Sequence, residues 1–145
     1  MTPTSEDESP LIPRPDILPC TTYKLVGPGL GGQALYMTVS DAVVDDQLRP
    51  FEVFFNTKHA ESYEFFPVLG RALSAHLRNP GPFPAFIVRE LIDSWGEAGY
   101  IIPRTDIRCG GIVSHIGYTL QEHCARLGVM EVDEQFRMRF TTEVK

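Results

Sequence analysis

A chain of 145 residues is long enough for one domain that buries roughly two thirds of the surface its unfolded form exposes, so neither a disulfide framework nor a structural metal is required. Thirteen lysines and arginines against nineteen aspartates and glutamates give a net charge of −6, and no basic cluster offsets it, which disfavours nucleic acid as a direct partner. Three cysteines, Cys20, Cys109 and Cys124, are an odd number without C-x-x-C spacing, which leaves reduced thiols as the default.

Residues 1–19 hold five prolines, Pro3, Pro10, Pro13, Pro15 and Pro19, and an acidic cluster at Glu6, Asp7 and Glu8. Such a composition offers little to bury, so the segment is expected to be an unstructured leader and the place where a linker would lie. It has neither a basic n-region nor an apolar h-region and does not read as a secretory signal. The longest mainly apolar stretch, 65–77, contains Arg71 and His76 and is too short to span a bilayer. The chain is therefore expected in the cytoplasm, with no membrane partner.

Residues 21–26 read TTYKLV, a short strand candidate. GPGLGGQALYM follows at 27–37, and Gly27, Gly29 and Gly32 satisfy G-x-G-x-x-G. That fingerprint holds a dinucleotide only where its glycines lead into a helix whose N-terminus meets the pyrophosphate. Here Leu35, Met37 and Val39 alternate with Tyr36, Thr38 and Ser40, the period of a half-covered strand. The glycines are thus expected to join two antiparallel strands as a hairpin loop. The second strand extends toward Val44, Asp45 to Leu48 make a polar turn, and FEVFFN at 51–56 is a third strand. In it Phe51, Val53 and Phe55 face one way, and Glu52, Phe54 and Asn56 the other.

From about residue 60 to 78 the period changes, and Phe66, Leu69, Leu73 and Leu77 recur at helical spacing. Pro67 either lies in the first turn of a helix that begins near Glu64 or kinks a longer one. NPGPFP at 79–84 ends it, and a second helix is expected over 84–95, with Ile87, Val88, Leu91, Ile92 and Trp95 on one face. The glycine-rich stretch 96–111 stays unassigned. A third helix begins after Gly110 and Gly111, carries Val113, Ile116, Leu120, Cys124 and Leu127, and stops at Gly128. In the last stretch Phe136, Met138 and Phe140 alternate with Arg137, Arg139 and Thr141, which suits either an additional strand or a peptide that pairs with a partner's sheet edge. The layout is α+β: an antiparallel sheet of three or more strands with about three helices packed on one face, over residues 20–128, followed by an extension at 129–145.

Candidate chemistry is sparse. Cys124 lies on the apolar stripe of the third helix and reads as a small buried hydrophobe. Cys109 follows Arg108 and precedes a helix N-terminus, two features that favour a thiolate, and is the weak candidate for a reactive group. His59, His76, His115 and His123 form no zinc spacing with the cysteines. His115, Thr119 and Glu122 share a polar face of the third helix that reads as solvated. Asp41, Asp45 and Asp46 sit in or near a turn, where carboxylates commonly bond local backbone. No metal, no cofactor bound by this chain alone and no catalytic constellation are expected.

One resemblance stands out. The succession TYK (22–24), ALYMTVSD (34–41), RPFEVFFNTK (49–58), LGRALSAHLR (69–78), IVRELIDSW (87–95) and SHIGYTLQEH (114–123) resembles the TSCPD-type domain near the C-terminus of adenosylcobalamin-dependent ribonucleotide reductases. It looks most like the short separate chain found where that enzyme is split in two. The small-residue, Cys, Pro, Asp tetrad that names the domain has no clean copy, since the position before the last helix reads RCGGIVSHIG. Ribonucleotide reduction needs a barrel that brings a radical-bearing cysteine and a reducing thiol pair to the ribose, which this chain cannot supply. The resemblance therefore implies an accessory chain of a ribonucleoside-diphosphate reductase, supporting deoxyribonucleotide biosynthesis for DNA synthesis. A large catalytic chain would be its partner and would hold the adenosylcobalamin.

Phe54 and Asn56, with Lys58 and His59 just beyond, are the expected partner surface. Two other readings stay open: a free-standing nucleotide-sensing or protein-interaction module without catalysis, whose support is the GPGLGGQ loop, and a thiol redox protein acting through Cys109.

Overall fold

The computed structural model describes residues 9–62, 64–96 and 99–144. Three strands, β1 (Cys20–Leu25), β2 (Leu35–Val44) and β3 (Gln47–Thr57), form an antiparallel meander in that order. Three helices, α1 (Phe65–Leu77), α2 (Ala85–Ile92) and α3 (Ile112–Leu127), complete an α+β architecture. The period-two pattern sorts the strands' side chains. Leu25, Leu35, Met37, Val39 and Val53 are buried with Phe66, Leu73, Leu77, Val88, Ile116 and Leu120 from the helices in one core. The opposite sheet face carries two cross-strand rows, Thr22–Thr38–Phe54 and Lys24–Tyr36–Asn56.

The glycine-rich loop is a hairpin connection, as its context implies: a single 3₁₀ turn, Pro28–Leu30, then strand β2. The third strand starts earlier than its aromatic run suggests, at Gln47. The turn before it has only two residues, and both take positive φ, Asp45 at 51° and Asp46 at 65°, the backbone that matches the twist of a tight hairpin. The register shifts between Ser40 and Asp41, which leaves Phe51 as the extra residue of a β-bulge.

Pro67 sits in the first turn of α1, where its missing N–H is not needed. At the other end of α1, buried Arg49 donates to the carbonyls of Leu77, Asn79 and Gly81 at 3.0, 3.3 and 2.8 Å, closing orphan acceptors. The second helix is shorter than expected. It stops at Ile92, whose carbonyl accepts from Ser114 Oγ at 2.7 Å, and Gly96 N–H then bonds Gly110 O, drawing the chain away and leaving Trp95 65% exposed. Gly117 allows α2 and α3 to touch, because an ideal Cβ there would lie 2.6 Å from Ile92 N.

The unassigned stretch contains two short antiparallel strands, β4 (Tyr100–Ile101) and β5 (Arg108–Cys109), under which Ile102, Ile107, Cys109 and Met138 make a second small core. Residues 129–144 form no strand. They make one 3₁₀ turn, Glu134–Phe136, and then run along the body. Residues 9–19 carry no helix or strand, yet they are tied down: Ile12 N–H donates to Arg78 O, Arg78 donates back to Ile12 O, and Arg14 pairs with Glu52 at 2.6 Å. Among the described residues no helix is long and apolar enough to cross a membrane.

Candidate functional site

The polar face of α3 is buried, which corrects the solvated reading. Ser114, His115, Thr119, Glu122 and His123 are all at most 4% exposed. They are covered by the sheet, the β4–β5 hairpin and the C-terminal segment, so each needs an internal partner.

His123 finds two partners. Its Nε2 lies 2.7 Å from Asp41 Oδ1 on β2, and its Nδ1 lies 2.6 Å from Tyr23 Oη on β1. Burial, reinforced by the charges of Asp41 and Glu122 against that of Arg126, pushes Tyr23 up to about 12, so its phenol keeps its proton. The phenol and the imidazole share a hydrogen bond at Nδ1, and the Nε2 side of the ring faces the Asp41 carboxyl group. Asp41 is therefore no surface turn residue. Sequence pattern missed this triad, because its members lie on three elements.

Glu122 anchors the C-terminal segment. Arg137 donates to it twice at 2.8 Å, Met138 N–H at 2.9 Å and Arg126 at 3.3 Å. Burial, the largest single influence, pushes its carboxyl up, but these donors together outweigh it and hold it below its ordinary value. Met138 is buried, and Phe140 packs against Tyr23 with ring centroids 5.0 Å apart.

His115 Nδ1 lies 2.8 Å from Tyr100 Oη, and burial depresses the His115 pKa to about 4, so it is a neutral imidazole near neutrality. Burial, with the charge and hydrogen bond of Cys109, keeps Tyr100 a phenol. Gly27 packs directly over this pair, since a Cβ there would lie 2.8 Å from Tyr100 Oη. The first glycine of the fingerprint thus makes room for a ring rather than for a phosphate.

The cysteines remain separate. Cys109 and Cys124 are fully buried and Cys20 is exposed. Burial, aided by the Asp41 charge, pushes Cys124 up to about 12, so it behaves as a hydrophobe. Cys109, with 0% exposure, offers no surface on which a second thiol could attack. Among the described residues no group of three or more His, Cys, Asp and Glu is placed to hold a metal ion.

The expected partner residues lie together at one side of the sheet. Phe54 is 53% exposed, Asn56 and Lys58 are exposed, and His59 is half-buried with its N–H donated to Thr57 Oγ1. Phe54 also borders a shallow groove with Leu11, Pro67 and Arg71.

A second feature lies at the edge strand β1, two strands from Phe54 and Asn56. A cleft of about 410 Å³ opens between the edge strand β1, the turn after β4, and the C-terminal segment. Tyr23, Phe140 and Met138 supply apolar walls, His115 reaches it from α3, and four cations line it: Lys24, Arg104, Arg126 and Arg139. No carboxylate is among its lining residues.

Comparison with protein-family models, with curated proteins and with solved structures finds no match for this chain.

Proposed function

We propose that the chain is a non-catalytic accessory chain of an adenosylcobalamin-dependent ribonucleoside-diphosphate reductase, working in the cytoplasm to support deoxynucleotide supply. The observation that carries this reading is the open sheet face. RPFEVFFNTK, the most specific block of the resemblance, contributes Phe54 and Asn56 to it. Their row neighbours Tyr36, Thr22 and Lys24 are likewise exposed. An aromatic pair, Tyr36 at 42% and Phe54 at 53% exposure, within a polar surround matches the composition of a protein–protein interface.

The larger chain would carry adenosylcobalamin and the substrate. The residues here do not fit that cofactor: both nitrogens of His123 are engaged, and a cleft of about 410 Å³ falls far short of a corrin with its nucleotide arm. Tyr23, His123 and Asp41 instead act as a buried brace that fixes α3 against β1 and β2. The GPGLGGQ loop, on which the alternative of a nucleotide-sensing module draws, is a hairpin connection whose Gly27 packs on Tyr100.

The reading is tested by co-expression with a large adenosylcobalamin-dependent reductase chain. Co-purification that Phe54→Asp abolishes supports it, and a large chain that neither binds this one nor changes its turnover removes it.

A further inference from the structure

We infer that the cleft between β1, the β4–β5 turn and residues 138–142 is a binding site for a small organic phosphate. Its phosphate would sit among Lys24, Arg104 and Arg139, with an apolar or aromatic body against Tyr23 and Phe140. This does not rest on the reductase reading: Thr22 and Lys24 border both surfaces, but Phe54 and Asn56 do not line the cleft, and Arg104, Arg139 and His115 are not on the sheet face.

Charge is the first argument. The chain carries −6 overall, yet this one concavity is lined by four cations and no carboxylate. Arg126 is already committed, paired with Glu122 and lying over the rings of Tyr23 and Phe140 at 5.7 and 5.4 Å. Lys24, Arg104 and Arg139 are in no ion pair among the described residues. Like charges gathered around a concavity repel one another and focus a positive potential there, which an anion relieves.

The second argument is preorganisation. Pro103 and Arg104 occupy the centre of a turn closed by Thr105 N–H to Ile102 O at 3.1 Å, and Arg104 has φ +62°. Glycine is the usual residue at that place of a type II turn. An arginine stands there instead, against its backbone preference, with its Nε donating to the backbone carbonyl of Arg139 at 3.2 Å, which ties the Arg104 side chain to the C-terminal segment. Guanidinium groups also suit phosphate through paired N–H donors.

A buried imidazole also borders the cleft. His115 is 4% exposed, lines the cleft, and has its Nδ1 2.8 Å from Tyr100 Oη. Its other nitrogen, Nε2, makes no side-chain hydrogen bond among the described residues. The hydroxyls of Thr21 and Thr142 also line the space and can donate to an anion. The volume lies within the roughly 300–1,000 Å³ usual for small-ligand sites.

The test is calorimetric titration of the full chain with ATP, pyrophosphate and adenosine, at low and physiological salt, chosen to separate the phosphate from the aromatic body. Saturable binding of ATP is expected, weaker binding of pyrophosphate, and little from adenosine, with affinity falling as salt rises. Lys24→Ala, Arg139→Ala and Arg104→Gly should each weaken ATP by about tenfold or more. Arg104→Gly is the most telling variant, since glycine suits the turn and the fold is kept, as a thermal melt would verify. Phe54→Asp should leave ATP binding unchanged, which separates this site from the docking face. Absence of saturable binding by ATP and pyrophosphate, or binding indifferent to all three variants, overturns the inference. So does capture of an acidic peptide along β1 that ATP does not displace.

Discussion

His123 on α3 and Asp41 on β2 stand 82 residues apart in the chain and meet at 2.7 Å, with both side chains buried. Removing one partner leaves the other's polar group without water or a bond. Asp41→Ala is expected to destabilise the protein by about 1–3 kcal/mol, and Tyr23→Phe by about 1 kcal/mol, in urea unfolding. Because both act through one imidazole, the double variant should cost less than the sum of the two. Strict additivity with small effects would show that the brace contributes nothing.

Acid sensitivity has two sources with the same sign. His115 has a folded pKa of about 4 against an ordinary 6.5, so its contribution is complete above pH 6.5 and is lost as pH falls toward 4, because the unfolded chain takes up the proton first. The full loss is on the order of 3 kcal/mol. Glu122 is held below its ordinary carboxyl value, so its contribution is present above that value and disappears as pH falls further. Stability measured against pH should slope between pH 6.5 and 4 in the parent and flatten there in His115→Gln. A Glu122→Gln variant should lose part of the lower limb and release the C-terminal segment to proteolysis. A parent profile flat between pH 6.5 and 4 contradicts the His115 assignment, and one with no further loss below that range contradicts the Glu122 assignment.

The β2–β3 turn holds Asp45 and Asp46 at positive φ. Asp46→Gly creates the Asp-Gly pair that such turns favour and should raise stability by about 0.5 kcal/mol in chemical denaturation. A loss instead would mean that the Asp46 side chain holds the turn.

Gly117 lies at the α2–α3 contact, where an added Cβ would meet Ile92 N at 2.6 Å and Leu91 Cβ at 2.9 Å. Gly117→Ala should gain helix propensity yet cost about 1–3 kcal/mol through overpacking, visible as a lowered thermal midpoint. A neutral result would place the helices further apart.

Much of the architecture was legible because it rests on local periodicity. Leu35, Met37 and Val39, and Phe66, Leu73 and Leu77, announce their buried faces by spacing alone, and all six are in the core. The buried polar residues were not legible, because a polar helix face reads the same whether water or another segment covers it. His115, Thr119 and Glu122 are covered by parts of the chain whose placement depends on long-range contacts, notably Arg137 and Met138 onto Glu122. The alternation of Phe136, Met138 and Phe140 was the available signal. It pointed to a segment with an apolar side but not to where that side lies. The cationic cleft was hidden for the same reason, since Lys24, Arg104, Arg126 and Arg139 are scattered through the sequence.

The accessory role is tested most directly by the turnover of a purified large adenosylcobalamin-dependent reductase chain, measured with and without this protein. Turnover that needs this chain, and that falls when Phe54→Asp replaces it while Arg104→Gly supports it fully, is the predicted result. A large chain equally active alone, unchanged by a saturating excess of this one, contradicts the account.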